Sequence, residues 1–153
     1  MNKLMPPCLA VLFLVCIGVS VPVAYAGNGP GQFKFAEHLF QEQDYFRAIS
    51  EYKRFLFHHP DGDTNLIEEA WFKIALSYYR AERWEEAVES FQAFVDRFPH
   101  NPKHTEALFF KGRSEHHLER HDDALISYEA VIRADVSELC NRALFESALL
   151  HVD

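Results

Sequence analysis

Nine histidines in a chain of 153 residues make metal binding the first chemistry to weigh. His100 with His104, and His117 with His121, have the i,i+4 spacing that sets two imidazoles on one helical face for a zinc ion. The first pair flanks Pro102, which predicts a loop there. His121 falls at a turn position held elsewhere in the chain by Tyr45 and Trp84, which predicts a packing role. No cysteine or carboxylate is spaced to complete either set, so no metal site is expected. Glu85-Glu86 and Asp122-Asp123 have the form of paired general acid and base. Both pairs follow a turn, where acidic residues favour a helix N-terminus, and that is the reading adopted. Cys140 is a lone thiol read as small packing material. The sequence contains no phosphate-binding glycine loop, no nucleophile elbow and no His-Glu-x-x-His helix, so neither a catalytic residue nor a cofactor is expected.

The N-terminus points to export. Met1 to Ala26 carries Lys3, an apolar run from Cys8 to Val23, and then Ala24-Tyr25-Ala26. This is the pattern of a cleaved secretory signal peptide over residues 1–26, giving a mature start at Gly27 and a periplasmic destination. Gly18, Ser20 and Pro22 shorten any helix there below the ~20 residues needed to span a bilayer. The alternative is an uncleaved leader anchored in the inner membrane. A lipoprotein reading fails because Cys16 follows Leu14-Val15 and not a small residue. Loss of the leader removes Cys8 and Cys16 and leaves Cys140 as the one cysteine, so no intramolecular disulfide is expected. The formal charge is −8, or −9 without Lys3. Such acidity argues against nucleic acid or an anionic membrane surface as the main partner.

Gly27 to Gly31 reads as a flexible spacer, and order is expected from Gln32. From there apolar residues recur at helical spacing, with no alternating strand pattern. Internal similarity organises the remainder. Asp44-Tyr45-Phe46-Arg47-Ala48-Ile49 matches Arg83-Trp84-Glu85-Glu86-Ala87-Val88 and His121-Asp122-Asp123-Ala124-Leu125. The alanines at 48, 87 and 124 lie 39 and 37 residues apart. Helices are expected near Gln32 to Gln43, Tyr45 to His58, Leu66 to Ala81, Trp84 to Phe98, Thr105 to Leu118, Asp122 to Ala134 and Ser137 to His151. Asp63-Thr64 and Ser137 are candidate caps.

The middle unit carries Trp71, Ala75, Tyr78, Ala87, Phe91 and Pro99 at offsets that resemble the tetratricopeptide-repeat family. The first supplies Ala36, Leu39, Ala48, Tyr52 and Pro60. The third supplies Leu108, Gly112, Ala124 and Tyr128, with Val136 in place of the closing proline. The resemblance implies an all-α fold, an antiparallel helix-hairpin solenoid forming a right-handed superhelix. It would hold about three and a half repeats over residues 32–153: 32–62, 66–101, 104–136 and a half repeat 137–153. The small pairs Ala36/Ala48, Ala75/Ala87 and Gly112/Ala124 would let the helices of each hairpin approach closely, with Tyr52, Phe91 and Tyr128 filling the gap to the next repeat. Phe55, Phe94 and Val131 stand where the family usually has alanine. With the long loops and the leader, that departure resembles exported periplasmic members of outer-membrane assembly and of cell-envelope coordination during division.

The resemblance also implies a role in binding proteins, with the first helix of each repeat lining a concave groove. Aligned units place Phe33, Phe72, Phe109 and Phe145 in one column, Phe40, Tyr79 and His116 in a second, and Gln41, Arg80 and His117 in a third. Glu37, Leu76 and Arg113 lie between. The expectation is an aromatic groove with basic additions, suited to a peptide segment or helix of a protein partner. The competing role for the phenylalanine column is packing adjacent first helices together. Ser137 to Asp153 looks like a first helix without its mate, leaving Leu144, Ala148 and Leu149 short of cover. That edge could meet a partner, a membrane-associated complex or a second copy.

Overall fold

The computed structural model describes residues 29–134 and 137–150, and these form seven α-helices and no strand. They are α1 (Gly29–Gln41), α2 (Tyr45–His58), α3 (Thr64–Arg80), α4 (Trp84–Arg97), α5 (His104–His117), α6 (His121–Arg133) and α7 (Ser137–Leu150). Each helix packs on its sequence neighbour, and α1, α3, α5 and α7 also pack in succession. The result is a helical-repeat solenoid of three hairpins and a leading helix of a fourth. The leader and residues 151–153 lie outside the described residues.

Most boundaries follow local chemistry. Asp44 caps α2 by accepting from the Arg47 backbone N–H at 3.3 Å, and Asp63 caps α3 by accepting from that of Asn65 at 2.9 Å. The Asp63 cap draws α3 back to Thr64, two residues before the expected Leu66. Arg83 and Arg120 at the corresponding positions before α4 and α6 make no side-chain cap. Their first turns hold Glu85-Glu86 and Asp122-Asp123 instead, which complement the helix dipole. The expected spacer is shorter than read: α1 begins at Gly29, with Pro30 in its first turn, where a missing N–H costs nothing.

The turn inside each hairpin is built the same way three times. The Asp44, Arg83 and Arg120 N–H groups donate to the carbonyls of Leu39, Tyr78 and Glu115. The preceding Gln43, Glu82 and Glu119 donate to Phe40, Tyr79 and His116. This double bond pattern is a Schellman motif, and it forces Gln43, Glu82 and Glu119 to positive φ of 64°, 57° and 59°. None is glycine, so three strained residues fix the hairpin angle.

Ala36, Ala48, Ala75, Ala87, Gly112 and Ala124 are all buried where the paired helices meet. Gly112 is the tightest: a Cβ there would lie 2.8 Å from Cε1 and 2.9 Å from Cδ1 of the buried Tyr128 ring. Ala70, Ala107 and Ala143 occupy one further position on α3, α5 and α7, each fully buried. Ala70 joins the core of the first hairpin, and Ala143 that of the third. These alanines seat each new first helix on the hairpin before it.

Gly112→Ala should therefore destabilise the fold by about 1–2 kcal/mol, although alanine is the better helix former by about 1 kcal/mol. Urea unfolding checks this, and a more stable variant would show that the α5–α6 approach is looser than described.

Candidate functional site

The phenylalanine column does not line a groove. Phe33, Phe72 and Phe109 are only 8%, 3% and 1% exposed. Phe33 meets Tyr52 and Phe55 edge to face, with ring centroids 5.6 and 5.5 Å apart. Phe72 meets Phe91 and Phe94 at 6.1 and 5.4 Å, and Phe109 meets Tyr128 at 6.1 Å. Each phenylalanine thus packs on the second helix of its own hairpin. Burial of this kind removes them from any contact with a partner, correcting the expectation for these three. Phe145, the fourth member, is 65% exposed.

Between repeats the other columns form three junctions at one register. Glu37 of α1 accepts from Lys73 of α3, with an N–O distance of 3.0 Å, and from the Tyr52 hydroxyl. Lys73 also lies 4.5 Å from the centre of the Phe40 ring. At the second junction Leu76 and Phe110 pack on one core, and Phe110 touches Tyr79 at 4.9 Å. At the third, Arg113 of α5 faces Glu146 of α7 at 3.6 Å. The ion pair has been replaced by an apolar contact and then restored with its charges exchanged. Glu37, Phe40 and Tyr79 are accordingly engaged in holding the repeats together.

The candidate residues that keep an open face are Leu76, Arg80, Arg113, His116 and His117. Arg113 lies 5.8 Å from the centre of the Tyr79 ring. Burial raises the Tyr79 phenol above its ordinary range, while the positive charges of Arg113 and Arg80 oppose that shift. Arg113, His116 and His117 share a polar cavity of about 510 Å³ with Glu119, His121 and Glu146. His117 stacks on Trp84, centroid to centroid at 4.1 Å and within 11° of parallel. The cavity at this end is imidazole-rich, with three histidines, one arginine and two glutamates around it.

In the second histidine pair, His121 approaches His116 at 5.9 Å while His117 stacks on Trp84. Among the described residues no three histidine, cysteine or acidic side chains are grouped to hold a metal. Of the paired carboxylates, Glu86 accepts from its own backbone N–H and from Arg83, which holds its carboxyl below the usual range.

The sequence reading passed over one constellation. Glu115 is 3% exposed and occupies the core position held by Leu39 and Tyr78 in the other hairpins. Its carboxylate accepts from Lys111 at 2.6 Å and from the Ser127 hydroxyl at 2.6 Å, and Lys111 reaches Ser127 at 3.0 Å. Lysine beside serine is the pairing of some hydrolases. Ser127 is buried in the α5–α6 interface, so no substrate reaches it and the network is a structural one. The i,i+4 spacing of Lys111 and Glu115 on an otherwise apolar face was the available signal.

Comparisons with known proteins agree with this architecture. Residues 72–138 match the family model described as tetratricopeptide repeat. Among solved structures, the tetratricopeptide-repeat domain of P58(IPK) matches with a TM-score of 0.65 and 20% sequence identity. That match covers 80% of this chain, which spans only 33% of the other. It identifies the fold. No curated protein matches the sequence significantly.

Within the site, the fold shifts the proton affinity of His117. Partial desolvation of the ring stacked on Trp84 lowers its pKa below the ordinary 6.5, and the charges of Arg113 and His116 add to the shift. The folded protein then binds fewer protons at this residue than the unfolded chain, so its contribution to stability is present above pH 6.5 and is lost as the pH falls through the folded value. Imidazolium quenches indole, which makes Trp84 the reporter. Tryptophan fluorescence should show a midpoint below pH 6.5 that disappears in His117→Gln, and a midpoint above 6.5 would contradict the desolvation of His117 against Trp84.

Proposed function

From a solenoid whose residues 72–138 match the tetratricopeptide-repeat family, and whose fold is shared with a solved domain of that kind, we propose a non-catalytic protein-interaction scaffold. It binds a segment of a protein partner on the face of the first helices. The observation that carries this reading is the convergence of Arg80, Arg113, His116 and His117 beside Tyr79 on two successive first helices. These side chains keep an open face, whereas the phenylalanines are consumed by packing. Arginine forks and imidazoles beside the half-buried Leu76 suit a segment that alternates carboxylates with apolar residues.

The setting we propose is the bacterial periplasm, with a role in outer-membrane or envelope assembly. The support is Met1 to Ala26, with its apolar core and small residues at Ala24 and Ala26, together with the exported repeat proteins that the loops and Phe55/Phe94 resemble. A second reading is an assembly or targeting accessory anchored by an uncleaved leader and acting through α7. The exposure of Leu144, Phe145 and Leu149 favours a role for that helix. Among the described residues no helix is long and apolar enough to cross a membrane.

Two measurements divide these readings. Mass spectrometry of the protein recovered from cells should give a chain that begins at Gly27, and retention of Met1 would turn the argument toward the anchored accessory. A photo-crosslinking residue placed at Leu76 or Arg80 should yield a defined adduct in the native envelope. With the crosslinker at Leu76, the yield should fall roughly tenfold in Arg80→Glu/His117→Glu and with added salt. The same residue placed at the exposed Phe57 of α2 should not form that adduct, and equal yields from the two faces would refute the groove.

A further inference from the structure

Three imidazoles gather where α5 ends and α6 begins. The His116 ring lies 5.9 Å from that of His121 and 6.4 Å from that of His117, centroid to centroid, and all three border the polar cavity of about 510 Å³. Its other walls are Arg113, Glu119 and Glu146. With the imidazoles neutral, one guanidinium stands against two carboxylates and the cavity is negative by one charge. With all three protonated it is positive by two. Histidine is the side chain whose ordinary charge change falls between about pH 5 and 8, so these three residues set the sign of the cavity across that range.

The surrounding charges leave that balance as it is. Arg80 of α3 and Arg142 of α7 act on the neighbouring Tyr79, and Glu82 of the turn after α3 acts on His117. The turn into α6 sets Arg120 against Asp122 and Asp123. Positive and negative charges are equal in number among these six. α4 contributes the neutral indole of Trp84, and the buried Glu115 beneath is paired with Lys111. Burial raises the phenols of Tyr79 and Tyr128, which therefore stay neutral. Arg113, the fixed cation of the cavity, already has the Glu146 carboxylate at 3.6 Å. A second carboxylate arriving there at neutral pH meets no excess of positive charge.

We infer that capture of an acidic partner segment on this face is proton-linked: His116, His117 and His121 take up protons as its carboxylates enter the cavity, and affinity rises as the pH falls. The inference rests on the groove proposed above and adds the condition under which that groove fills. His117 shows the coupling most directly. Desolvation and the positive charges of Arg113 and His116 lower its proton affinity, and a bound carboxylate supplies the opposing field. A ligand that raises proton affinity is itself bound more tightly when protons are supplied, because linkage is reciprocal.

The test uses the whole chain and a capped, rhodamine-labelled peptide in which glutamate alternates with leucine. Its carboxylates stay ionised above about pH 5.5, since glutamate titrates near 4.3. Fluorescence anisotropy should show binding that tightens roughly tenfold or more between about pH 8 and pH 6, with circular dichroism unchanged. Calorimetry in buffers of different ionisation enthalpy should show net proton uptake. His116→Gln/His117→Gln/His121→Gln should remove both the pH dependence and the uptake. Glu119→Gln should tighten binding at neutral pH roughly threefold by removing one opposing carboxylate. Glutamine is accommodated at the equivalent left-handed position by Gln43, so this variant folds. Binding that is flat between the two pH values, or as steep in the triple histidine variant, would overturn the inference and leave the groove standing. Absence of saturation at either pH up to about 1 mM peptide would overturn the groove as well.

Discussion

The close approach of the two helices within each hairpin is the constraint on which the other contacts depend. With no more than a methyl group at Ala36, Ala75 and Gly112, and at Ala48, Ala87 and Ala124, the backbones come near enough for a phenylalanine on one helix to reach the aromatic side chains of the other. Each such ring contributes about 1.5–3 kcal/mol by burial. Gly112 exposes the limit of the arrangement, because the Tyr128 ring occupies the space its missing Cβ would need. The turns are subordinate to this approach. Gln43, Glu82 and Glu119 accept a left-handed backbone since the packed hairpin over-determines their geometry.

Packing within hairpins is repetitive, but packing between them is not. The same register holds Glu37 with Lys73, then Leu76 and Phe110 on a shared core, then Arg113 with Glu146. A hairpin moved to another place in the array would bring like charges together or leave a charge opposite an apolar side chain. Either mismatch carries a desolvation or repulsion cost. The junctions therefore disfavour the docking of a hairpin on a wrong neighbour, which identical junctions could not do. The buried Lys111–Glu115–Ser127 network adds a distinction inside the third hairpin, where the first has Phe35 and Leu39, and the second Ile74 and Tyr78, at the places of Lys111 and Glu115.

Much of the fold was legible because its determinants are local and periodic. The matched turns at Ala48, Ala87 and Ala124 located the hairpins, and the small pairs identified their contact faces. The helix starts were less accurate where the cue lay outside the helix, as with the Asp63 cap and the glycines before Gln32. The phenylalanine column was assigned to the wrong face for a reason visible in the spacing. Phe33, Phe72 and Phe109 stand three residues before Ala36, Ala75 and Gly112, so they share the face that approaches the mate. Glu115 was missed because periodicity ranks positions by hydrophobicity, and a carboxylate satisfied by lysine and serine in the core violates that ranking.

The repeats also act as an internal control on which face can bind. The mate-facing column holds phenylalanine in every unit, since each hairpin imposes the same geometry on it. The neighbouring columns change with every unit: Glu37, Leu76, Arg113 in one, Phe40, Tyr79, His116 in another, and Gln41, Arg80, His117 in a third. Positions that vary while the backbone around them stays constant are not required by the hairpin. Some of that variation is absorbed by the junctions, which engage Glu37, Phe40 and Tyr79. Arg80 and the open faces of Arg113, His116 and His117 remain, gathered toward the third repeat. Phe145 completes the logic from the other side. It holds the phenylalanine of the mate-facing column on α7, where it is exposed, so its identity follows the hairpin pattern and not a role in the groove.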